Sequence, residues 1–187
     1  MIGLCDIAVD AIAVALTAGV RRAPPLDGLD PQLCEPAATF VTLERHDRLL
    51  GCVGTLEPRQ ALAIDVAEHA LAAAFDDPRV PAVTRLDFPE MTVKVSVLSW
   101  STPIAASSFG ELRASVRPGV DGLTVEAGGV HCATLLPSVW PKVPDCDEFL
   151  DALWTKAGLR PQTWPAGVRV SRYTTVEEYD SGPRPAL

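Results

Sequence analysis

A single cysteine lies between two nearby glycines at the end of an apolar run, in the segment Leu49-Leu50-Gly51-Cys52-Val53-Gly54. Glycine has no Cβ, so backbone or ligand atoms can approach the sulfur of Cys52 from either side. A helical run follows soon afterwards, and the amide groups at a helix start favour an anion such as a thiolate. We therefore predict Cys52 as a catalytic residue and Gly51 and Gly54 as binding residues. A cysteine that only packs in the core is the alternative, because free cysteine is among the most buried residue types.

A catalytic thiol normally needs a base, and the chain offers three histidines. His46 lies in a predicted turn and His69 on an alanine-rich helix, and we expect both to face solvent. Gly128-Gly129 is typical of a two-residue hairpin turn, which would pair Glu126 with His131. A carboxylate next to an imidazole orients a base, so His131 is predicted as a binding residue. An exposed cross-strand ion pair is the alternative interpretation.

Two acidic residues and an arginine follow the second predicted helix in the segment Asp76-Asp77-Pro78-Arg79. Loops on a rigid scaffold often carry binding residues, so we predict that Asp77 and Arg79 line a cleft with Cys52. A helix stop with a local ion pair is the alternative. Asp76 and Asp77 have no third ligand nearby in the sequence, so no metal site is predicted. The chain also lacks the glycine-rich motifs that bind nucleotides, and no cofactor is predicted.

Hydrophobic periodicity divides the chain into helices and strands. Helical spacing marks residues 4–15, residues 61–74 and a helix that Asp145 caps and Gly158 ends. Apolar or alternating runs mark six strands: Thr39–Leu43, Arg48–Val53, Thr92–Ser99, Leu123–Ala127, Val130–Leu136 and Val168–Thr175. Both faces of the Arg48–Val53 run are apolar, which predicts an internal strand. Hairpins outnumber crossovers, so we predict an α/β fold of the α+β kind: a mixed, mainly antiparallel sheet flanked by helices.

Length, charge and cysteine usage exclude several classes of protein. With 187 residues, 48% of them apolar, the chain can form one domain over residues 1–187, with room for a small second lobe and a flexible tail over residues 180–187. The net charge of −8 argues against a nucleic-acid binder. The five cysteines include no C-x-x-C pair, which argues against a disulfide framework or zinc site and favours the cytoplasm. We predict no membrane association, because no segment has the pattern of a membrane span or signal peptide.

Six blocks of sequence occur in the order typical of one family. The blocks are Phe40–Leu43, Leu49–Gly54, Ala73–Pro81, Val95–Ser99, Arg117–Leu123 and Ala133–Trp140. Over residues 37–179 the chain therefore resembles the AMMECR-type domain, also called AmmeMemoRadiSam system protein A. The resemblance implies a two-lobed α/β domain with a cleft between the lobes. It also implies association with a Memo-type protein and a radical SAM enzyme, whereas the biochemical activity of the family is not settled.

The chain departs from the family pattern at two places. The family usually has an arginine before the Gly-Cys pair, where this chain has Leu50, and a basic pair where this chain has His131 and Cys132. Side chains repeat every two residues on a strand, so we expect Leu50 on the same face as Cys52, beside a drier and less basic pocket. Both changes remove positive charge, so an anion that relatives bind is expected to bind this chain less tightly.

Two functions fit these residues. The first is an enzyme, or a component of a modification system, that uses a cleft around Cys52. The second is a binding module for a small molecule or a protein, without chemistry of its own. The lack of an evident base for Cys52 keeps the second function open. Alkylation rates discriminate between the two, because a catalytic thiol should react faster at neutral pH than the other four cysteines.

Overall fold

The computed structural model describes residues 3–187, and these residues form two compact units. The first unit contains the described residues up to Leu98 together with Val176–Leu187, and the second contains Ser99–Thr175. Residues 1 and 2 of the predicted 1–187 domain lie outside the described part of the chain. Each unit has its own apolar core and its own antiparallel sheet. The predicted α/β fold, with mainly antiparallel strands flanked by helices, is confirmed, although the strands form two four-stranded sheets rather than one sheet.

Two long helices pack on one face of the sheet in the first unit. Helix α1 spans Leu4–Ala18, α2 is one turn over Pro31–Cys34, and α3 spans Leu62–Phe75. Five of the buried positions of α3 are alanines, which permit close packing against the neighbouring strands. The short strands β1, over Pro36–Ala37, and β4, over Gln60–Ala61, pair with each other next to α3.

The start of α1 is capped by a residue that is distant in the sequence. Its N-cap, Gly3, has no side chain, so the first amides of the helix need other acceptors. The Asp6 carboxylate accepts from the Gly3 amide at 2.9 Å, and Glu178 Oε1 accepts from the Cys5 amide at 2.9 Å. The thiol of Cys5 is buried beneath this cap, and burial, aided by the charge of Glu178, raises its pKa to about 12.

The sheet of the first unit has the strand order β10–β5–β2–β3. Its strands are β2 over Thr39–Arg45, β3 over Arg48–Gly54, β5 over Thr92–Leu98 and β10 over Thr175–Asp180. The predicted hairpin is present, since β2 and β3 are antiparallel and are joined at His46 and Asp47, which both have positive φ. The prediction of an internal strand at Arg48–Val53 is wrong, because β3 lies at the edge of the sheet and β2 is internal.

A β-bulge in β3 changes the orientation of one residue that the sequence singled out. Leu43 pairs with Gly51 and Glu44 pairs with Leu49, so Leu50 is the extra residue of the bulge. Leu50 is 8% exposed and belongs to the apolar cluster that contains Leu43 and the buried residues of α1 and α3. Alternation does not hold across a bulge, so the expectation that Leu50 shares a face with Cys52 is wrong.

The second unit is a four-stranded antiparallel sheet with the order β6–β9–β7–β8. Its strands are β6 over Thr102–Pro103, β7 over Gly122–Ala127, β8 over His131–Leu135 and β9 over Arg169–Tyr173. Helices α4, over Phe109–Ser115, and α5, over Cys146–Lys156, complete its core. The Asp145 carboxylate caps α5, as predicted, by accepting from the amides of Asp147 and Glu148.

Residues 181–187, predicted as part of a flexible tail, have no regular secondary structure. Arg184 lies against the first unit: its guanidinium is 2.7 Å from the Asp180 carboxylate and 5.8 Å from the centre of the Phe88 ring. Its amide donates to the carbonyl of Pro89, within the short 3₁₀ segment Phe88–Glu90.

Candidate functional site

Cys52 lies on the edge strand β3, directly opposite Thr42 on β2. The Thr42 hydroxyl donates to the sulfur of Cys52 across 3.3 Å. The side chains of such a pair lie closest when neither residue uses its backbone groups to bond the other strand. The backbone amide and carbonyl of Cys52 then point away from β2, toward the edge of the sheet. Cys52 is half-buried, in agreement with this position.

The loop after α3 binds these outward-pointing backbone groups. The Cys52 amide donates to Asp77 Oδ2 at 2.9 Å, and Arg79 Nη2 donates to the Cys52 carbonyl at 2.8 Å. One acceptor and one donor therefore occupy the places that a neighbouring strand would supply. Edge strands expose unpaired backbone groups that promote wrong pairing. The Asp77–Arg79 pair, which we call the edge clamp, protects β3 from such pairing at Cys52.

A bidentate ion pair between Arg79 and Asp77 holds the edge clamp together. The guanidinium of Arg79 donates to Asp77 Oδ1 at 2.9 Å and to Oδ2 at 2.7 Å, and the Arg79 amide also donates to Oδ1. The Arg79 guanidinium and the amides of Cys52 and Arg79 hold the pKa of the Asp77 carboxyl far below its usual range, although burial opposes this effect. The Asp77 side chain is 2% exposed and that of Arg79 is 59% exposed. Asp77 is therefore a buried anion in a structural role.

The two glycines that flank Cys52 are required by packing. A Cβ on Gly51 would lie 1.8 Å from the carbonyl oxygen of Ala73 in α3. A Cβ on Gly54 would lie 2.3 Å from the carbonyl oxygen of Thr39 on β2. Both distances are too short for any side chain, so these glycines allow the backbone of the chain itself to approach. The prediction that they contact a ligand stays a prediction.

Helix α3 lies near Cys52 with its carboxyl end, not with its amino end. Helix α3 begins only at Leu62, after a loop and β4, and Ala73 in its last turn packs on Gly51. Helix carboxyl ends carry partial negative charge, which does not favour an anionic sulfur. The prediction that a helix start stabilises a Cys52 thiolate is therefore wrong, because a loop and β4 separate β3 from the start of α3.

A row of polar side chains crosses the sheet from Cys52, on the face opposite to α1 and α3. Thr42 pairs with Cys52 on one side and with Lys94 of β5 on the other. The ammonium of Lys94 lies 3.6 Å from Glu177 Oε1 of β10. We call Cys52, Thr42, Lys94 and Glu177 the polar row. The period-two pattern of β5 places Lys94 on the polar face of the strand, but nothing local in the sequence could place Glu177 beside it.

Glu177 is the most heavily bonded member of the polar row. Its Oε1 accepts from the Ser96 hydroxyl at 3.0 Å, and its Oε2 accepts from the hydroxyl of Tyr179. This hydrogen bond and the negative charge of Glu177 raise the pKa of Tyr179 to about 12. The side chains of Lys94 and Glu177 are each 19% exposed. The row therefore runs from the Cys52 thiol through the Thr42 hydroxyl to the Lys94 ammonium, and it ends at a carboxylate that is already hydrogen-bonded.

His131 lies in the second unit, where the hairpin differs from the predicted one. The loop has three residues, 128–130, so His131 pairs with Ala127 and Glu126 pairs with Cys132. The predicted pairing of Glu126 with His131 is wrong by one residue. His131 Nδ1 is instead 2.8 Å from the carbonyl oxygen of Ala157. Its predicted binding role remains a prediction, now without an orienting carboxylate.

A second group of polar residues was missed by the sequence analysis. His69 does not face solvent: its Nδ1 lies 3.1 Å from Asp65 Oδ2 and 3.3 Å from Thr39 Oγ1. The Asp65 side chain is 2% exposed, and it accepts from both the amide and the hydroxyl of Thr39. The i, i+4 spacing of Asp65 and His69 on an alanine-rich helix was the available signal. This network fixes α3 to the start of β2.

Residues 3–187 contain neither a cluster of metal-binding side chains nor a helix that could span a membrane. Within this range, no three histidine, cysteine or acidic side chains converge as a metal site would require. No helix in the described part of the chain is both long enough and apolar enough to span a membrane.

Comparison with known proteins identifies the family of this fold. Residues 5–177 match the AMMECR1 family. The chain belongs to the AMMECR1 family. A Thermococcus onnurineus protein is 36% identical over 177 residues, which cover 87% of this chain and 83% of that protein. A Pyrococcus furiosus protein is 36% identical over 187 residues, which cover 92% and 86% of the two chains.

A solved AMMECR1-like structure has the same fold. The crystal structure of an uncharacterized protein from Pyrococcus horikoshii superposes with a TM-score of 0.88 at 33% sequence identity. The match covers 96% of this chain and 91% of that chain. The names of these three relatives state no ligand and no reaction. Membership of the AMMECR1 family therefore gives the fold, and a function has to be argued from the site.

Proposed function

We propose that this AMMECR1-family protein is a binding module and that the polar row contacts its ligand. The observation that carries this proposal is the hydrogen bond from the Thr42 hydroxyl to the sulfur of Cys52. A nucleophilic thiol needs a base that accepts its proton, and a hydroxyl that donates a hydrogen bond to the sulfur is not that base. The edge clamp binds the Cys52 backbone, so neither Asp77 nor Arg79 supplies the missing base in this geometry.

The chemistry of the polar row favours a small polar ligand that has an acceptor group. The 3.6 Å separation of Lys94 and Glu177 exceeds the 2.7–2.9 Å typical of a charge-assisted hydrogen bond. The ammonium of Lys94 therefore retains donors for a carboxylate or carbonyl group of the ligand. The Thr42 hydroxyl donates its hydrogen bond to the Cys52 sulfur, so its oxygen remains an acceptor for a ligand N–H or O–H group.

Native mass spectrometry of the purified protein in a metabolite extract tests this proposal. We expect the wild-type chain to retain a small molecule, and Lys94→Met and Thr42→Val to lose it while melting normally. The matched control is Lys142→Met, which removes an exposed lysine of the second unit. Retention that is unchanged in both polar-row variants would contradict the proposal.

The family resemblance implies a second function, a modification system in which a Memo-type protein and a radical SAM protein act with this chain. In that function Lys94, two strands from Cys52 on the same face of the sheet, is the candidate base for the thiol. Co-purification of tagged protein with those two partners from its native host tests the association. The partners and the cytoplasmic location stay predictions.

A further inference from the structure

The turn that leads into β7 builds a charged cluster from residues outside the polar row. The carboxylate of Asp121 is fully buried, and it accepts from the amide and the Nε of Arg117 at 2.9 Å each. Nη1 of Arg172, from β9, lies 3.4 Å from Asp121 Oδ2. Two guanidiniums, which we call the arginine pair, therefore share one carboxylate. Since neither arginine forms an ion pair with a second carboxylate of residues 3–187, one positive charge is left uncompensated.

Arg172 is held in place but keeps one edge of its guanidinium free. Its Nη1 donates to the carbonyl of Ser115, at the end of α4, at 3.1 Å. Its Nε and Nη2 have no hydrogen-bond partner among residues 3–187, and neither of them is a buried atom. This edge carries two parallel N–H groups, which match two oxygens of one anion. Because the side chain is already ordered, binding an anion would cost little conformational entropy.

A hydroxyl group lies beside the Arg172 side chain. Thr102 of β6 pairs directly with Arg172, so the two side chains share one face of the sheet, with Cβ atoms about 5 Å apart. Thr102 is exposed, and its hydroxyl bonds no residue in the described part of the chain. Arg117 adds its Nη1 group, because only its Nε and Nη2 donate to the Asp121 carboxylate. The arginine pair and Thr102 therefore offer hydrogen-bond donors from three side chains.

The charge of the second unit permits an anion at this place. Residues 99–175 contain seven lysines and arginines and seven aspartates and glutamates, so this unit is neutral. The net charge of −8 therefore comes from the first unit. An anion that approaches the arginine pair is not repelled by the net charge of the unit that carries it.

We infer that the arginine pair and Thr102 bind the phosphate group of a small phosphate monoester. Such a group has three terminal oxygens, so the Arg172 edge holds two of them while the Thr102 hydroxyl or Arg117 Nη1 holds the third. A carboxylate has only two oxygens, and the Arg172 edge alone would occupy both. This site shares no residue with the polar row and does not depend on the function proposed for it.

An NMR titration of the ¹⁵N-labelled full chain, followed through the Nε–H signals of arginine, tests this inference. The probes are inorganic phosphate, methyl phosphate, dimethyl phosphate and acetate, at about pH 7.5, where a phosphate monoester carries nearly two charges. We expect saturable shifts of the Arg172 and Arg117 signals with inorganic phosphate and methyl phosphate. Dimethyl phosphate and acetate each present two oxygens to these donors, so they should bind at least about tenfold more weakly.

Protein variants locate the binding surface. Arg172→Gln should weaken the binding of methyl phosphate at least about tenfold, and Thr102→Val should weaken it about three- to tenfold. Both variants should remain folded, because Asp121 keeps its bonds to Arg117 in the first and the replaced side chain is exposed in the second. The matched control, Arg160→Gln, removes an exposed arginine of the same unit and should bind methyl phosphate as wild type does.

Several outcomes would overturn the inference. These are arginine signals that do not saturate with phosphate, acetate or dimethyl phosphate that binds as tightly as methyl phosphate, and a loss of binding in Arg160→Gln as large as that in Arg172→Gln. Unchanged binding in both Arg172→Gln and Thr102→Val would overturn it as well. If Arg172→Gln does not fold, Thr102→Val decides alone, and binding equal to that of wild type then overturns the inference.

Discussion

Replacing Asp77 with alanine removes the buried half of the edge clamp. The Cys52 amide loses a charged acceptor at 2.9 Å, and the loss of such a hydrogen bond costs about 1.5–3 kcal/mol. The ion pair with Arg79 adds at most about 1 kcal/mol, because the Arg79 side chain is 59% exposed and water screens the interaction. We therefore expect Asp77→Ala to lower the free energy of unfolding by about 2–4 kcal/mol.

Thermal unfolding and hydrogen exchange measure this loss. For a chain of this length, 1 kcal/mol corresponds to about 2–4 °C, so Asp77→Ala should lower the melting temperature by about 4–16 °C. Arg79→Ala should lower it by less, about 2–4 °C. Amides in the peptide that covers Arg48–Gly54 should exchange faster in Asp77→Ala. A melting temperature within 2 °C of wild type, with unchanged exchange, would refute the structural role of the clamp.

The pH dependence of the Asp77 contribution has a defined sign. Its pKa is lower in the folded protein than in the unfolded chain, where aspartate titrates near about 4. The contribution is therefore complete above about pH 4 and is lost as the pH falls toward the folded pKa. The difference in melting temperature between wild type and Asp77→Asn should be constant from pH 7 to pH 5 and should narrow below pH 4.

Three further changes follow from the packing of the first unit. Gly51→Ala places a methyl group against the Ala73 carbonyl, and we expect a loss of about 3 kcal/mol or no folded protein in expression trials. Leu50→Arg buries an unpaired guanidinium in the core, so this variant should melt at least about 6 °C lower than wild type. It should gain no affinity for phosphate. The control Leu50→Met should melt near wild type. Glu178→Gln weakens the cap on the Cys5 amide and should lower the melting temperature by about 1–4 °C by circular dichroism.

Local signals in the sequence predicted most of the elements. Two long helices were predicted at residues 4–15 and 61–74, and they occur at Leu4–Ala18 and Leu62–Phe75. Their apolar positions repeat with the helical period, and that period is visible within a few turns. Helix α4 was missed because it has only seven residues, although its N-cap Ser108 and Glu111 were visible in the sequence.

Properties that depend on distant residues could not be predicted. The edge position of β3 follows from the sheet order, in which β10, from the end of the chain, takes the opposite edge beside β5. The bulge at Leu50 and the three-residue loop before His131 each shift the register by one residue. A shift of one residue reverses which face a side chain occupies, so the face predicted for Leu50 and the partner predicted for His131 were both wrong.

The candidate site was located more accurately than it was interpreted. Cys52, Asp77 and Arg79 do lie together, as predicted, but the two charged residues bind backbone groups. The predicted cleft around Cys52 stays a prediction. Thr42 and Lys94 belong to the site because of how the strands pair, and this pairing could not be read from the sequence. Residue type and spacing thus identified the segment, whereas the direction of each hydrogen bond determined its role.

The alkylation rate of Cys52 tests the central claim most directly. Iodoacetamide treatment of the native protein at pH 7, followed by peptide mass spectrometry, gives a rate for each of the five cysteines. The claim that Cys52 is part of a binding surface predicts a rate no higher than that of the exposed Cys132, with the buried Cys5 slowest. A Cys52 rate at least tenfold above that of Cys132, and lost in Lys94→Met, would contradict the claim and establish a reactive thiol.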